Sequence, residues 1–315
     1  MTTFLQTMNN SKPFLKWAGG KRQLLPDLIS RLPKSITDSK KIENYIEPFI
    51  GGGSFFFYLK NNYEIKNAYI SDINKDLVLS YRTIQNKLND LLVELKKLQS
   101  KYDLQADLEN KQFLFYEIRK EFNKNLAYNL SEVTNTFSVE RSAQVIFLNR
   151  TCFNGLYRQN KKGEFNVPFG KYLNPTICDE DNLREVNLAL QNVVIEHGDF
   201  ELSETYAVKD SLIYLDPPYR PIKVTSSFTS YAKEDFGDED QKRLAEYYSR
   251  LSKKGCSLIL SNSDPKNNNK SDNFFDDLYS KFNITRVSAK RAINSKVEGR
   301  GSIFELMITN YRLNE

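Results

Sequence analysis

The segment Asp216-Pro217-Pro218-Tyr219 constrains the fold and chemistry of this chain more than any other feature. It follows the apolar run 212–215, which predicts a buried strand that ends in a carboxylate, two prolines and an aromatic ring. In an open α/β sheet, ligands bind in the crevice outside the carboxyl ends of the strands. The two prolines fix their φ angles and supply no N–H, so the turn is stiff and its carbonyls point in set directions. A planar base with an amino group could bond to Asp216 and to the Pro217 carbonyl while it stacks on Tyr219.

A strand followed by Asp-Pro-Pro is also an ordinary way to end a sheet and begin a loop. A glycine-rich loop near the N-terminus favours the functional interpretation. Ile42–Ile46 predicts a strand, and Gly51, Gly52 and Gly53 follow it at the start of a predicted helix. These glycines allow a tight turn and let a ligand approach the backbone.

The glycine loop lacks both the Gly-x-Gly-x-x-Gly spacing of dinucleotide sites and the lysine of a P-loop. It therefore suits a nucleoside with a sulfonium amino-acid tail better than it suits a phosphate. About twenty residues further on, a second predicted strand ends at Asp72, a separation typical of the acidic residue that holds ribose hydroxyls.

Composition excludes several classes of protein. The 315 residues are 40% hydrophobic and 13% aromatic, which is ample for a packed core. No apolar run approaches the ~20 residues that cross a membrane, and residues 1–11 lack the features of a secretory signal. Three widely spaced cysteines and one histidine predict neither a disulfide framework nor a zinc site. We therefore expect a cytoplasmic protein that binds neither a metal nor a membrane.

Positive charge is concentrated in two parts of the chain. Residues 141–172 contain six Lys and Arg residues against one acidic residue, a local net charge of +5 that equals that of the whole chain. Residues 286–300 contain five basic residues and one acidic residue, a net charge of +4. Such segregation predicts basic surfaces that face a polyanion such as nucleic acid, and the alternative is that these runs are solvated faces.

Seven short apolar runs separated by helical patterns indicate an α/β fold with a doubly wound, mostly parallel sheet. The predicted strands are Ile42–Ile46, Ala68–Ser71, Val193–Glu196, Ser211–Leu215, Ser257–Ser261, Asn283–Ser288 and Ile303–Asn310. The long basic connection between the last two strands allows an antiparallel hairpin at the edge of the sheet. A helix is expected from Asp240 to Leu251.

Residues 80–173 have a different, helical pattern. Leu91, Leu92, Leu95 and Leu98 share one helical face, and the aromatic residues between 113 and 122 predict another helix. We expect residues 80–173 to form a mainly helical domain inserted into an α/β domain, which consists of residues 1–79 and 174–315.

The chain resembles the Dam-type DNA adenine methylases, the GATC-specific group of the D12 class of N6-adenine methylases. The resemblance covers most of the chain in matching order. Its motifs are Phe14–Lys21, the glycine loop, the segment that ends at Asp72, Phe147–Arg150, Phe153–Arg158, Gly163–Pro168, Asp216–Tyr219, and Arg300-Gly301 to Glu305-Leu306. It implies a Rossmann-like methyltransferase core that uses S-adenosyl-L-methionine, and an inserted domain that recognises double-stranded DNA with a hairpin.

The resemblance also implies residues that bind the cofactor. They are Trp17, Lys21, Gly51, Gly53, Asp72, Asp199, Phe200 and Asp216. Phe200 could pack on the adenine of the cofactor, and Lys21 could reach the methionine carboxylate. A purely structural role is the alternative for Trp17.

The catalytic residues are expected to be Asp216, Pro217, Pro218 and Tyr219. The exocyclic N6 of adenine is a poor nucleophile because its lone pair is delocalised into the ring. Acceptors for both N6 hydrogens would favour attack, and the positive charge on nitrogen would develop beside a carboxylate. An adenine in duplex DNA must first be flipped out of the stack, and Tyr219 would hold it.

For target recognition, the resemblance implies that Arg158 reads guanine, since arginine can pair with guanine O6 and N7. Leu156 and Pro168 would contact base edges, and Phe153 would insert beside the flipped base. Asn154 would contact the backbone. Lys16 would contact the outer guanine of the palindrome GATC.

Two alternatives remain open from the sequence. One is a methylase that acts on RNA or on a protein glutamine through a similar tetrapeptide. The other is a DNA-binding protein whose methylase core is vestigial. We expect a monomer, and a restriction endonuclease encoded in the same system would form no stable complex with it.

Overall fold

A computed structural model describes residues 10–17, 23–220, 236–290 and 302–313 of the chain, without the side chains of residues 289, 290, 302 and 303. The strands are β1 (Lys41–Glu47), β2 (Glu64–Asp72), β3 (Val193–His197), β4 (Leu212–Leu215), β5 (Ser257–Ser263), β6 (Asn283–Lys290) and β7 (Ser302–Thr309). Each overlaps a strand predicted from the sequence, so all seven predicted strands are confirmed, although β2 begins four residues before its predicted start.

The strands form a seven-stranded sheet in the order β3-β2-β1-β4-β5-β7-β6. β1 pairs in parallel with β2 and with β4, and β4 pairs in parallel with β5. β7 is antiparallel to both β5 and β6, which confirms the expected antiparallel hairpin at the edge. The sheet is therefore mixed and mostly parallel, and the predicted α/β fold class is confirmed.

The apolar sequence of the central strand β4 follows from its position in the sheet. All four of its residues are buried, because a parallel strand inside a sheet is covered on both faces. β1 and β4 lie side by side, with Ile46 opposite Ile213. The strand order reverses between these two strands, which is the place where ligands bind in open α/β sheets.

The α-helices within the described residues are, in chain order, α1 (Leu25–Ile29), α2 (Lys34–Ser39), α3 (Ser54–Asn62), α4 (Lys75–Asp103), α5 (Leu108–Lys124), α6 (Asn135–Thr151), α7 (Glu180–Leu190), α8 (Asp238–Lys253) and α9 (Phe274–Leu278). Side chains cap several of them. Asn74 accepts a hydrogen bond from the backbone N–H of Leu77 at the start of α4, and Asp107 does the same for Asn110 at the start of α5.

The helical predictions are also confirmed. Leu91, Leu92, Leu95 and Leu98 are buried on α4. In α5 the buried aromatic residues are Phe115 and Phe122, whereas Phe113 is exposed. α8 buries Leu244, Tyr247, Tyr248 and Leu251, the four residues whose spacing predicted the helix.

The described residues fall into two compact units. The first contains those within 1–20, 51–63 and 74–197, and the second contains those within 21–50, 64–73 and 198–315. In the first unit, α4 packs against α6 and α7. In the second, the core surrounds β4, β5 and α8. Among the described helices, none is long and apolar enough to cross a membrane.

Candidate active site

The turn Asp216–Tyr219 leaves the carboxyl end of β4 in the second unit and is held at three points. The first is Asp216, whose Oδ1 accepts a hydrogen bond of 3.0 Å from the hydroxyl of Ser261 on β5. The Ser261 hydroxyl is itself 2.9 Å from the phenol oxygen of Tyr214. Since Ser261 gives its proton to Asp216, Tyr214 is the donor to Ser261. The carboxylate is thus oriented by two buried hydroxyls in series.

The second point is the backbone of the prolines. The Pro218 carbonyl accepts a hydrogen bond of 3.1 Å from Nε2 of Gln241, which is fully buried on α8. The other end of that amide, Oε1, accepts from Nδ2 of Asn262 at 3.2 Å. The amide of Gln241 therefore cannot rotate without losing two hydrogen bonds, and the turn keeps its direction.

The third point is the aromatic ring. The phenol of Tyr219 donates to Oε2 of Glu305 on β7 at 2.6 Å. Burial, followed by the negative charges of Asp216 and Glu305, raises the pKa of Tyr219 far above its ordinary value. The phenol therefore keeps its proton and remains a donor to the carboxylate.

Carboxylates surround this edge of the sheet. Burial raises the pKa of Tyr214, and the charges of Asp216, Glu47 and Glu305 raise it further. Glu47, at the end of β1, is buried and accepts a hydrogen bond of 2.6 Å from Tyr45. An edge with this charge suits a ligand that carries positive charge and disfavours a phosphate.

Asp72 ends β2 at the same edge. Its carbonyl accepts a hydrogen bond of 3.1 Å from the N–H of Gly198, which joins the end of β2 to the segment that follows β3. Next to it, Ser71 has a buried hydroxyl with no hydrogen-bond partner in the described part of the chain. Because a buried hydroxyl is costly to leave unpaired, a polar ligand at this strand end would be stabilised by it.

Phe200 follows β3 and is buried against Phe49, with ring centroids 5.4 Å apart. The guanidinium of Arg243 lies 4.5 Å from the centre of the Phe200 ring. It also makes two hydrogen bonds to Asp199, of 2.9 and 2.8 Å, one to each carboxylate oxygen. Asp199 and Phe200 thus share one cation, which fixes both side chains.

In the first unit, the glycine loop lies against Trp17. Gly51 has a φ of +46°, and a Cβ atom on it would lie 2.8 Å from Cδ1 of Trp17. Gly53 has a φ of +70°, and a Cβ atom there would lie 2.7 Å from the phenol oxygen of Tyr81. The glycines are required both by the backbone conformation and by the close packing. Trp17 is half-buried and stacks on Tyr157, with centroids 5.1 Å apart.

The candidate recognition residues also lie in the first unit, after α6. A short 3-10 helix, Phe153–Gly155, contains Asn154 in the left-handed region with a φ of 58°. Asn149 accepts from the N–H of Lys16 at 2.9 Å and donates to the carbonyls of Lys16 and Gly155 at 2.8 and 2.9 Å. This one buried amide brings Lys16 together with the turn.

Phe153 and Pro168 are exposed, and the N–H of Phe153 donates to the Pro168 carbonyl at 2.9 Å. Arg158 is half-buried, and its Nε donates to Oδ1 of Asn166 at 2.7 Å. Leu156 is also half-buried. The turn thus presents an exposed aromatic ring and a proline together. Lys21 lies outside the described residues.

Comparison with known proteins identifies the family. Residues 17–293 match the model of the D12 class N6 adenine-specific DNA methyltransferases, which is most of the chain. The chain belongs to this family. It is 50% identical to the type II methyltransferase M.MjaIII of Methanocaldococcus jannaschii over 301 residues, 95% of this chain and 99% of that one. It is 34% identical to the DNA adenine methylase of Haemophilus influenzae over 297 residues, 94% of this chain and 92% of that one. The chain is therefore an N6-adenine DNA methyltransferase, and DNA is its substrate.

Two basic residues of this methyltransferase are not the surface charges that the sequence suggested, because they are buried or largely buried. Arg141 is buried, with 2% of its surface exposed, and is paired with Asp76. Arg150 is largely buried and donates to the carbonyl of Phe14 at 3.1 Å. The positive surface of residues 141–172 is therefore smaller than the residue count indicates. Of the second basic cluster, Arg286 pairs with Asp264 and Asp276, and residues 291–300 lie outside the described residues.

Several residues that orient the candidate residues within each unit had no role assigned from the sequence. They are Ser261, Gln241, Glu305, Arg243, Asn149 and Asp76. Glu305 and Asn149 belong to motifs of the resemblance, which were usable signals. The others act through partners tens of residues away, which motif spacing does not reveal. No group of His, Cys, Asp and Glu side chains within the described ranges is arranged to hold a metal ion.

Proposed function

We propose that this methyltransferase transfers the methyl group of S-adenosyl-L-methionine to N6 of an adenine flipped out of duplex DNA, within the sequence GATC. The observation that carries this proposal is the turn Asp216–Tyr219, which three separate elements hold at a carboxylate, a carbonyl and a phenol. An acceptor base in this place meets groups that are already oriented. Preorganised groups of this kind stabilise charge in a transition state most effectively.

Asp216 accepts one N6 hydrogen, and the Pro217 carbonyl accepts the other. A carboxylate has about four acceptor positions, so the hydrogen bond from Ser261 is compatible with another from the base. As N6 gains positive charge, Asp216 stabilises it. Pro218 keeps the turn stiff, and the ring of Tyr219 stacks on the flipped adenine.

The residues present fit the cofactor. S-adenosyl-L-methionine supplies an electrophilic methyl group on a positively charged sulfur. In the second unit, the carboxylates at the strand ends complement that charge, Asp72 and Ser71 offer polar contacts for ribose hydroxyls, and Phe200 offers a ring for the adenine. Asp199 acts beside it by fixing Arg243 over that ring. In the first unit, Trp17 and the loop that contains Gly51 and Gly53 bind the cofactor.

Target recognition is proposed for residues of the first unit. Arg158 reads guanine, Phe153 inserts beside the flipped base, and Leu156 and Pro168 contact base edges. Asn154 contacts the DNA backbone and Lys16 contacts the outer guanine. The support is the exposure of Phe153 and Pro168 and the joining of Lys16 to the same turn through Asn149. We assign all of these residues except Lys16 to a recognition domain, 80–173. It lies between the catalytic segments 1–79, which contains Lys16, and 174–315, and the target GATC follows the Dam group.

A substitution of Asp216 tests the proposal. Asp216→Ala should abolish N6-methyladenine formation, measured by mass spectrometry of digested duplex DNA, while the affinity for DNA stays within about threefold of wild type. Asp277→Ala, which removes the same charge from an exposed position on α9, is the matched control and should keep full activity. Loss of DNA binding in proportion to activity would contradict the catalytic assignment.

A further inference from the structure

A buried carboxylate lies beneath the candidate recognition segment, residues 153–168. Asp76, in the first turn of α4, has 1% of its surface exposed. Arg141 of α6 donates to it twice, from Nε to Oδ1 at 2.8 Å and from Nη2 to Oδ2 at 3.2 Å. The two charges are thus paired in the interior of the first unit, where an unpaired charge would be strongly destabilising.

Two residues of the recognition segment use the same carboxylate. The phenol of Tyr157 donates to Oδ2 of Asp76 at 2.9 Å. Nε2 of Gln159 donates to that oxygen at 3.2 Å and lies 2.9 Å from the Tyr157 phenol oxygen. The sequence suggested no role for Tyr157 or Gln159. In the structure, both side chains donate to the same carboxylate oxygen.

Arg158 stands between them and points elsewhere. Gln159 forms a bridge with Phe165 in an antiparallel pairing, so the backbone is extended here and successive side chains alternate. Tyr157 is buried with 6% exposure, whereas Arg158 is half-buried and bonds to Asn166 across the hairpin. With the residues on both sides fastened inward, the arginine side chain is directed to the opposite face.

The carboxylate of Asp76 is also held by a residue outside the recognition segment. Tyr128, which precedes α6, donates to Oδ1 of Asp76 at 2.7 Å. Burial alone would raise the pKa of Asp76, but the charge and hydrogen bonds of Arg141, together with Tyr128 and Tyr157, lower it below its ordinary value. The carboxylate therefore stays ionised and keeps its position through Arg141 and Tyr128 when one recognition-segment donor is removed.

We propose that the two residues that flank Arg158 are positioning residues for target recognition, which fasten the recognition segment to the carboxylate of Asp76. This inference rests on the proposed function, because it requires Arg158 to read a base. The hydrogen bonds between the segment and this carboxylate set how strongly the enzyme prefers one base over another. The residues proposed to carry out methyl transfer lie in the other unit.

A base analogue tests the proposal. Replacement of the target-site guanine by 7-deazaguanine, on each strand in turn, removes the N7 acceptor that an arginine would use. Wild type should prefer guanine by about tenfold in kcat/KM on one of the strands. Tyr157→Phe keeps the stacking on Trp17 but loses the donor, and Gln159→Leu loses the other donor. Each should lower the preference to about threefold or less.

Tyr128→Phe is the matched control. It removes a hydrogen bond of similar length from the same carboxylate, but Tyr128 is not in the recognition segment. It should lower the melting temperature about as much as Tyr157→Phe and leave the preference for guanine unchanged. Equal loss of preference in both variants, or in neither, would overturn the positioning role.

Arg158→Ala separates this inference from the proposed function. If Arg158→Ala removes the preference for guanine while Tyr157→Phe and Gln159→Leu retain it, the anchoring proposal is wrong and the assignment of Arg158 stands. If wild type and Arg158→Ala respond equally to 7-deazaguanine, the assignment of Arg158 is wrong, and the anchoring proposal falls with it.

Discussion

The phenol of Tyr219 is bonded to the carboxylate of Glu305 across 2.6 Å, so the last residue of the proposed catalytic turn is fixed by the edge hairpin of the sheet. Glu305 lies opposite Ser263 in the pairing of β7 with β5, which places it at the carboxyl end of a parallel strand. The antiparallel strand β7 thus places a carboxylate at the edge of the sheet where the ends of other strands also carry carboxylates. The ring that would hold the base is oriented before any base arrives.

The first prediction concerns this ring. Tyr219→Ala should lower the population of flipped base by about tenfold or more, since stacking on an aromatic side chain contributes ~1–3 kcal/mol per base. The fluorescence of 2-aminopurine in place of the target adenine reports flipping. Tyr219→Phe, which keeps the ring, should retain most of the flipped population and lose part of kcat. If Ala and Phe variants flip the base equally well, the ring has no part in holding it.

The second prediction concerns the glycine loop. Gly53→Ala should destabilise the protein by ~2–4 kcal/mol, because strain in the left-handed region adds to a contact of 2.7 Å with Tyr81. Gly163→Ala is the control, since its φ of +81° is also left-handed but nothing lies within 4 Å of the added atom. Gly163→Ala should destabilise the protein only by the backbone strain, ~1–2 kcal/mol. Chemical denaturation measures both, and equal losses would mean that the loop is not closely packed.

The third prediction concerns pH. The pKa of Asp76 in the folded protein is below its ordinary value, because the effect of burial is outweighed by Arg141 and the hydroxyl donors. The stabilisation is therefore complete above the unfolded pKa of about 3.9 and is lost as the pH falls through the lower folded pKa. Asp76→Asn should cost ~3–5 kcal/mol of unfolding free energy at pH 7, since it leaves Arg141 buried without a counter-charge.

The control for this third prediction is Asp90→Asn, an exposed position on the same helix, which should change stability by less than ~0.5 kcal/mol. The difference between wild type and Asp76→Asn should shrink below about pH 4. A difference that stays constant from pH 7 to pH 3 would contradict the paired-carboxylate account.

The sequence predicted the strands because each buried strand is a short apolar run between polar turns, as in 212–215. It also predicted the ends of β2 and β4, because a carboxylate directly after an apolar run is visible without knowledge of tertiary contacts. The helix α8 was predicted from four apolar residues at helical spacing, all of which are buried. Local pattern was sufficient for these elements.

Hydrogen-bond and ion-pair partners that are distant along the chain could not be predicted from the sequence. Arg141 contributed to a predicted basic surface, yet its partner Asp76 lies 65 residues earlier and takes it into the interior. The hydrogen bonds that hold Asp216 and Pro218 come from β5 and α8, which follow the turn at distances that no motif records. A side chain's charge can be read from one position, but its burial depends on the fold that brings its partner close.

We propose that this chain methylates adenine in GATC with S-adenosyl-L-methionine. The most direct measurement is transfer of labelled methyl from this cofactor to a duplex with one GATC site, beside the same duplex with GTTC in its place. We predict label in the first duplex alone, recovered as N6-methyladenine. Equal labelling of both duplexes, or of neither, would contradict the proposed target.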